Sequence, residues 1–222
     1  MSHIYRSTVG KKIAMALTGA ILVLWVIGHM LGNLKTFLGP QAINQYAEGL
    51  RTVGEPFFPR GTLLWIVRIV ILASVGVHIL AAGQLTLQSR SARTVGYRKT
   101  PHLEINYASR TMRWGGVIIL LYVIYHLLHM TLGTVHPDFV AGDVYHNLVT
   151  GFQAWPVVAA YVVATAALMF HLYHGIWSAT QTLGAAHPRY DRFRRAASAS
   201  VAVLLFTGFV SVPAAVLLGV LR

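Results

Sequence analysis

Apolar and polar positions alternate along this chain on the scale of whole helices rather than single residues. Long apolar runs extend approximately from Ile13 to Leu34, Leu63 to Leu87, Trp114 to Leu132, Pro156 to Trp177 and Ala199 to Leu221. Each is close to the roughly 20 residues an apolar helix needs to cross a bilayer. The pattern predicts an all-α fold: a polytopic bundle of five transmembrane helices forming a single membrane domain over residues 1–222, with little room for a soluble catalytic domain. A soluble reading would have to bury five nearly continuous apolar segments in one small core. The first run is long for the core of a cleavable signal, lacks an obvious small-residue cleavage site and contains His29, Gly32 and Asn33, so it is expected to remain as a membrane helix.

The connections add shape. Gly39-Pro40, Glu55-Pro56 and Pro59 punctuate the first, where Gln41 to Val53 is expected to form a short helix at the membrane surface with Tyr46 and Leu50 on one face and Glu48 and Arg51 on another. Ser89 to Met112 reads as a polar, ordered connection, and His136-Pro137 as the opening of a turn. Basic residues orient the bundle. Arg6, Lys11 and Lys12 precede the first helix; Arg90, Arg93, Arg98, Lys99, Arg110 and Arg113 fill the second connection; Arg189, Arg192, Arg194 and Arg195 fill the fourth. The first connection holds only Lys35, Arg51 and Arg60, and the third has no Lys or Arg but carries Asp138 and Asp143. The positive-inside rule then predicts a cytoplasmic amino terminus and an external carboxyl terminus. The formal charge of +12 is explained by this distribution, which excludes nucleic acid as a partner and leaves anionic lipid head groups and an acidic cytoplasmic protein.

Histidine changes the picture most. Four of the five runs carry one well inside, at His29, His78, His126/His129 and His171/His174, and an ionisable side chain at membrane depth marks a functional site unless it is paired for structural reasons. At a rise of about 1.5 Å per residue, His29 and His126 fall in the outer half of the membrane and His78 and His174 in the inner half. Two transverse pairs are therefore expected, stacked along the membrane normal, although spacing alone does not choose between the members of each i, i+3 couple. Paired imidazoles at two depths suit two bis-histidine hemes, and with no cysteine in the chain these would be noncovalent heme b. Structural zinc would need four ligands at one depth, and a proton-relay transporter would want membrane acids, which are nearly absent. Arg68 lies in the second run, where a guanidinium must snorkel or pair, and a heme propionate is a candidate counter-anion. His129, His171, Tyr122, Tyr125 and Tyr173 are candidates for hydrogen bonds to the ligands. Gly19, Gly28, Gly32, Gly76, Gly83, Gly115, Gly116 and Gly175 would let helices or a porphyrin edge approach closely.

The motifs resemble a known family. Gly28-His29-Met30-Leu31-Gly32-Asn33, His78, Tyr125-His126-Leu127-Leu128-His129 and Phe170-His171-Leu172-Tyr173-His174-Gly175-Ile176-Trp177-Ser178 together resemble the five-helix, di-heme cytochrome b membrane subunit of succinate dehydrogenases and fumarate reductases, in particular its b558 type. The resemblance spans essentially the whole chain. It implies axial iron ligation by His29 and His126 at an outer heme and by His78 and His174 at an inner heme, with no catalytic residue in this chain. It further implies a partner iron–sulfur subunit at the cytoplasmic face, where Arg90 to Arg113 and Arg189 to Arg195 are candidate docking surfaces. Beyond it would lie a flavoprotein carrying FAD, where succinate is oxidised or fumarate reduced. Electrons would pass between these partners and a membrane quinone, menaquinone by the same resemblance, with Asn44, Tyr46 and Glu48 as candidates for an outer quinone region. The implied location is a bacterial inner or plasma membrane, with dimers and trimers of the complex both open. The rival readings are a transporter and a quinol-oxidising cytochrome attached to another dehydrogenase.

Overall fold

The computed structural model describes residues 3–92 and 107–222. Arg93, Arg98, Lys99, the Arg110 side chain and the middle of the Ser89 to Met112 connection lie outside the described residues. The elements are helical: α1 (His3–Arg6), α2 (Thr8–Leu34), α3 (Pro40–Thr52), α4 (Thr62–Ser91), α5 (Tyr107–His126), α6 (Val144–Gly151), α7 (Trp155–Thr182) and α8 (Asp191–Leu217), with no strand among the described residues. Among the described residues, five helices are long and apolar enough to cross a membrane.

Local chemistry sets the ends. The Ser7 hydroxyl accepts from Gly10 N–H at 2.9 Å and caps α2, which tightens into a 3₁₀ turn over Lys35–Leu38 and stops at Gly39, whose φ of 93° only glycine adopts freely. Pro40 then opens α3 and Pro156 opens α7, both at first-turn positions where the missing N–H costs nothing. Beyond His126, α5 closes in a π-type turn over Leu127–Thr131, with Leu132 N–H donating to Leu127 O at 2.9 Å.

The helices outrun the apolar runs at several ends. Helix α4 continues to Ser91 and α5 already starts at Tyr107, so the ends of the expected Ser89 to Met112 connection are helical. Helix α8 begins at Asp191, before Ala199, and ends at Leu217, short of Leu221. The polar start is sustained by pairing: Arg195 Nε donates to Asp191 Oδ2 at 2.8 Å, while Arg194 reaches back to α7, donating to Thr180 Oγ1 at 2.8 Å and Trp177 O at 3.1 Å. These two arginines are thereby engaged within the chain, whereas Arg189 and Arg192 are exposed.

Helix α7 packs along α8 and α5, and α2 along α4, α8 and α7. We call the side where α2 begins the amino-terminal side. The carboxy-terminal side is the better packed. There α3 and α6 meet α7 and α8 around Ile43, Leu148, Phe152, Tyr161, Val212 and Leu221. Tyr46 of α3 lies against Gly32 so closely that a Cβ there would come within 2.8 Å of the Tyr46 ring. A second cluster joins Leu172, Ala202 and Leu205 to Val23, Val26 and Ile27. The outward faces are apolar along most of α4, including Ile66, Ile69, Leu72 and Leu80, as a lipid-facing surface must be. Exposed Trp65 and Trp155 lie at the starts of α4 and α7, on the carboxy-terminal side of the bundle, and Trp114 lies near the start of α5 on the opposite side, the placement of interfacial aromatic residues.

Candidate heme and quinone sites

Toward the carboxy-terminal side, α2 and α5 present His29 and His126 to one another with ring centres 5.9 Å apart and planes at 78°. Trp25, one turn before His29 on α2, stacks on its ring at 4.8 Å and 8°, and Phe209 of α8 lies at 5.8 Å. His126 stacks with Tyr122 at 5.8 Å, and its Nδ1 lies 3.2 Å from the Tyr161 hydroxyl of α7. The same hydroxyl lies 3.0 Å from Nδ1 of His129, a fully buried residue stacked on Tyr125 and on His136. His136 is fixed in one tautomer: its Nε2 donates to Asn147 O at 2.8 Å while its Nδ1 accepts from Asp138 N–H at 3.1 Å.

Deeper in the bundle, His78 of α4 faces His171 of α7 with ring centres 6.3 Å apart. His78 Nδ1 lies 3.1 Å from Met15 O and 3.3 Å from Thr18 Oγ1 on α2. A carbonyl only accepts, so this nitrogen carries the proton and Nε2 holds the lone pair, the arrangement found for metal-bound imidazole. Nδ1 of His171 and of His174 and Nε2 of His129 are buried without a hydrogen-bond partner. The described ring contact of His174 is to Trp177 at 5.9 Å.

The donor set fits bis-imidazole iron. A metal held at about 2 Å by each of two imidazole nitrogens sets the ring centres roughly 6 Å apart, and both observed separations meet that figure. Among the described residues, no three His, Asp or Glu side chains gather as a structural zinc site would require.

The remaining candidates spread out. A cavity of about 170 Å³ is lined by His29, Gly32, Asn33, Tyr46, Leu50 and Val144, which brings Tyr46 beside the carboxy-terminal histidine pair. Glu48 points elsewhere, to Arg60 at 2.5 Å, with both side chains about half exposed. Asn44 is used structurally: its amide donates to Asp143 Oδ1 at 2.9 Å and accepts from Tyr145 N–H at 3.1 Å. Arg68 is exposed, with its guanidinium over Trp65 at 4.8 Å. Tyr122 and Tyr125 meet the histidines through their rings, and Tyr173 joins the second apolar cluster. Gly19 and Gly116 face His78 and His171, while a Cβ at Gly28, Gly76, Gly83 or Gly175 would meet nothing within 4 Å. Sequence reasoning missed Tyr161, Thr18, the Met15 carbonyl and the Trp25 stack. The nearest signal for Tyr161 was its depth: it lies about 9 Å inside α7, near the level of the carboxy-terminal pair.

In comparisons with known proteins, a family model described as the succinate dehydrogenase/fumarate reductase transmembrane subunit matches residues 98–212, just over half of the chain. No curated protein and no solved structure matched.

Proposed function

Because the chain belongs to the succinate dehydrogenase/fumarate reductase transmembrane subunit family, we propose that it is the heme-bearing, b558-type anchor of such a complex and carries electrons between its peripheral subunits and a membrane quinone. The observation that carries this reading is the two facing imidazole pairs at different depths, at 5.9 Å and 6.3 Å. His29 and His126 would hold one heme b. His78 would hold the second, with the opposite imidazole supplied by His174 as the resemblance implies, or by His171, the reading the ring contact favours. When bound, the two groups supply one-electron carriers at two levels of the membrane.

The chain's own residues do the rest. Met15 O and Thr18 Oγ1 fix the His78 tautomer, and Trp25 sets the plane of His29. The cavity beside His29 has an apolar rim and presents Asn33 and Tyr46, polar groups of the kind a quinone carbonyl needs. Glu48, turned to Arg60, stands as a weaker candidate for proton exchange there, and Arg68 for a propionate contact. Exposed Arg189 and Arg192 lie on the amino-terminal side, proposed as cytoplasmic, where an iron–sulfur subunit and, beyond it, a flavoprotein would dock. Succinate or fumarate chemistry would take place in that flavoprotein.

Oxidised and dithionite-reduced spectra, with quantitative heme extraction from the purified complex, test the proposal. About two noncovalent b hemes per copy of this chain are expected. A complex that retains its peripheral subunits through gentle purification and holds no heme would overturn the di-heme reading.

A further inference from the structure

We propose that the Tyr161 hydroxyl is the positioning group of the carboxy-terminal pair, holding His126 in the tautomer that leaves Nε2 free, and that His129 orients this hydroxyl in turn. The inference rests on the reading of His126 as an iron ligand. Tyr161 Oη lies 3.2 Å from His126 Nδ1 and 3.0 Å from His129 Nδ1. The Tyr161 side chain is buried and these two ring nitrogens are its hydrogen-bond partners among the described residues, so its one proton goes to one ring and its oxygen accepts from the other. The two imidazoles are thereby locked in opposite tautomers.

A ring that offers Nε2 to iron keeps its proton on Nδ1. His126 therefore donates to Tyr161, and Tyr161 donates to His129. His129 then carries its proton on Nε2, a buried atom without a partner. The reverse arrangement would place a proton on Nε2 of His126, the ring that faces His29 at 5.9 Å. That proton would block the nitrogen a metal needs. The chain thus spends one unsatisfied donor on a ring clamped among Tyr125, His136 and Phe152, and gains a defined ligand on the ring next to it.

Accepting a hydrogen bond from a ligand's Nδ1–H makes the imidazole a stronger donor and favours ferric iron, which lowers the potential. Tyr161→Phe in the purified complex removes only the hydroxyl. The ring contacts to Phe152 at 4.9 Å and Tyr122 at 5.0 Å are kept. Expected are an unchanged heme content, an upward shift of one heme midpoint in redox titration with the other unmoved, and a change in one of the two low-spin ferric resonance signals. Full heme content with both midpoints unmoved overturns the inference and leaves the ligand assignment standing. His126→Ala with both hemes retained overturns the assignment beneath it instead. Should Tyr161→Phe fail to assemble, His129→Leu replaces it. Removing the acceptor of the Tyr161 proton weakens the phenol oxygen as an acceptor, so the same heme should shift upward by a smaller amount, and no shift overturns the inference.

Discussion

Axial rise along α4 and α7 separates the two residues that could complete the inner pair. His78 is sixteen residues beyond Thr62 at the start of α4, and His171 is sixteen residues beyond Trp155 at the start of α7. Both lie about 24 Å down their helices at 1.5 Å per residue, whereas His174 lies roughly 4.5 Å deeper. We therefore expect His171→Ala to leave about one heme per chain and His174→Ala to leave about two, read by heme extraction from the purified complex. The opposite result would return the ligand to His174. Depth was legible in the sequence only as well as the helix ends were. Reckoned from Leu87 and from the polar stretch ending near Thr182, His78 and His174 lie about 13 Å and about 12 Å from their helix ends and so pair; α4 in fact continues to Ser91, which sets His78 about 20 Å from its end, nearer to His171 at about 17 Å. Tyr161 and Thr18 were illegible for another reason. In an apolar run a tyrosine reads as packing and a threonine as filler, and the Met15 carbonyl that fixes His78 belongs to no side chain at all.

At the level of elements, the long helices announce themselves by length and the short ones do not. Helix α3 was legible from its two faces between Gly39-Pro40 and Val53, but α6 is eight residues long and its sequence carries no helical stripe long enough to stand out. What specifies α6 is a clamp. Asp143 Oδ1 caps the helix by accepting from His146 N–H at 3.0 Å, and it accepts from the Asn44 amide of α3 at 2.9 Å. These two hydrogen bonds hold the Asp143 carboxyl below the ordinary carboxylate range. A depressed pKa means stability that is present above the unfolded value, near pH 4, and is lost as pH falls through the folded value. Asp143→Ala should cost about 1 kcal/mol of local stability, seen as faster amide exchange across α6, with the long helices unaffected. Asp143→Asn should keep most of the cap and remove the acid-dependent part of the loss. Equal exchange in α6 for the native protein and Asp143→Ala at neutral pH would show that the clamp contributes nothing.

For the whole molecule, an odd number of crossings places the termini on opposite faces, and charge decides which face is which. The described amino-terminal side carries Arg6, Lys11, Lys12, Arg90, Arg113, Arg189 and Arg192 beside the internally paired Arg194 and Arg195. The opposite side offers Lys35, Arg51, Arg60 and Arg222, with Arg60 neutralised by Glu48 and with Asp138 and Asp143 nearby. This asymmetry matters to function as well as to insertion. In the proposed complex, the peripheral partner that feeds electrons to the bundle is made and folded in the cytoplasm, so it meets the basic side. A reporter active only outside the cytoplasm should therefore be active when fused after Arg222 and silent when fused before α2, and a fluorescent protein that matures only in the cytoplasm should give the reverse. Activity of the external reporter at the amino terminus would invert the bundle. It would place the His29 and His126 pair nearer the cytoplasm and leave the basic side facing away from any partner folded there.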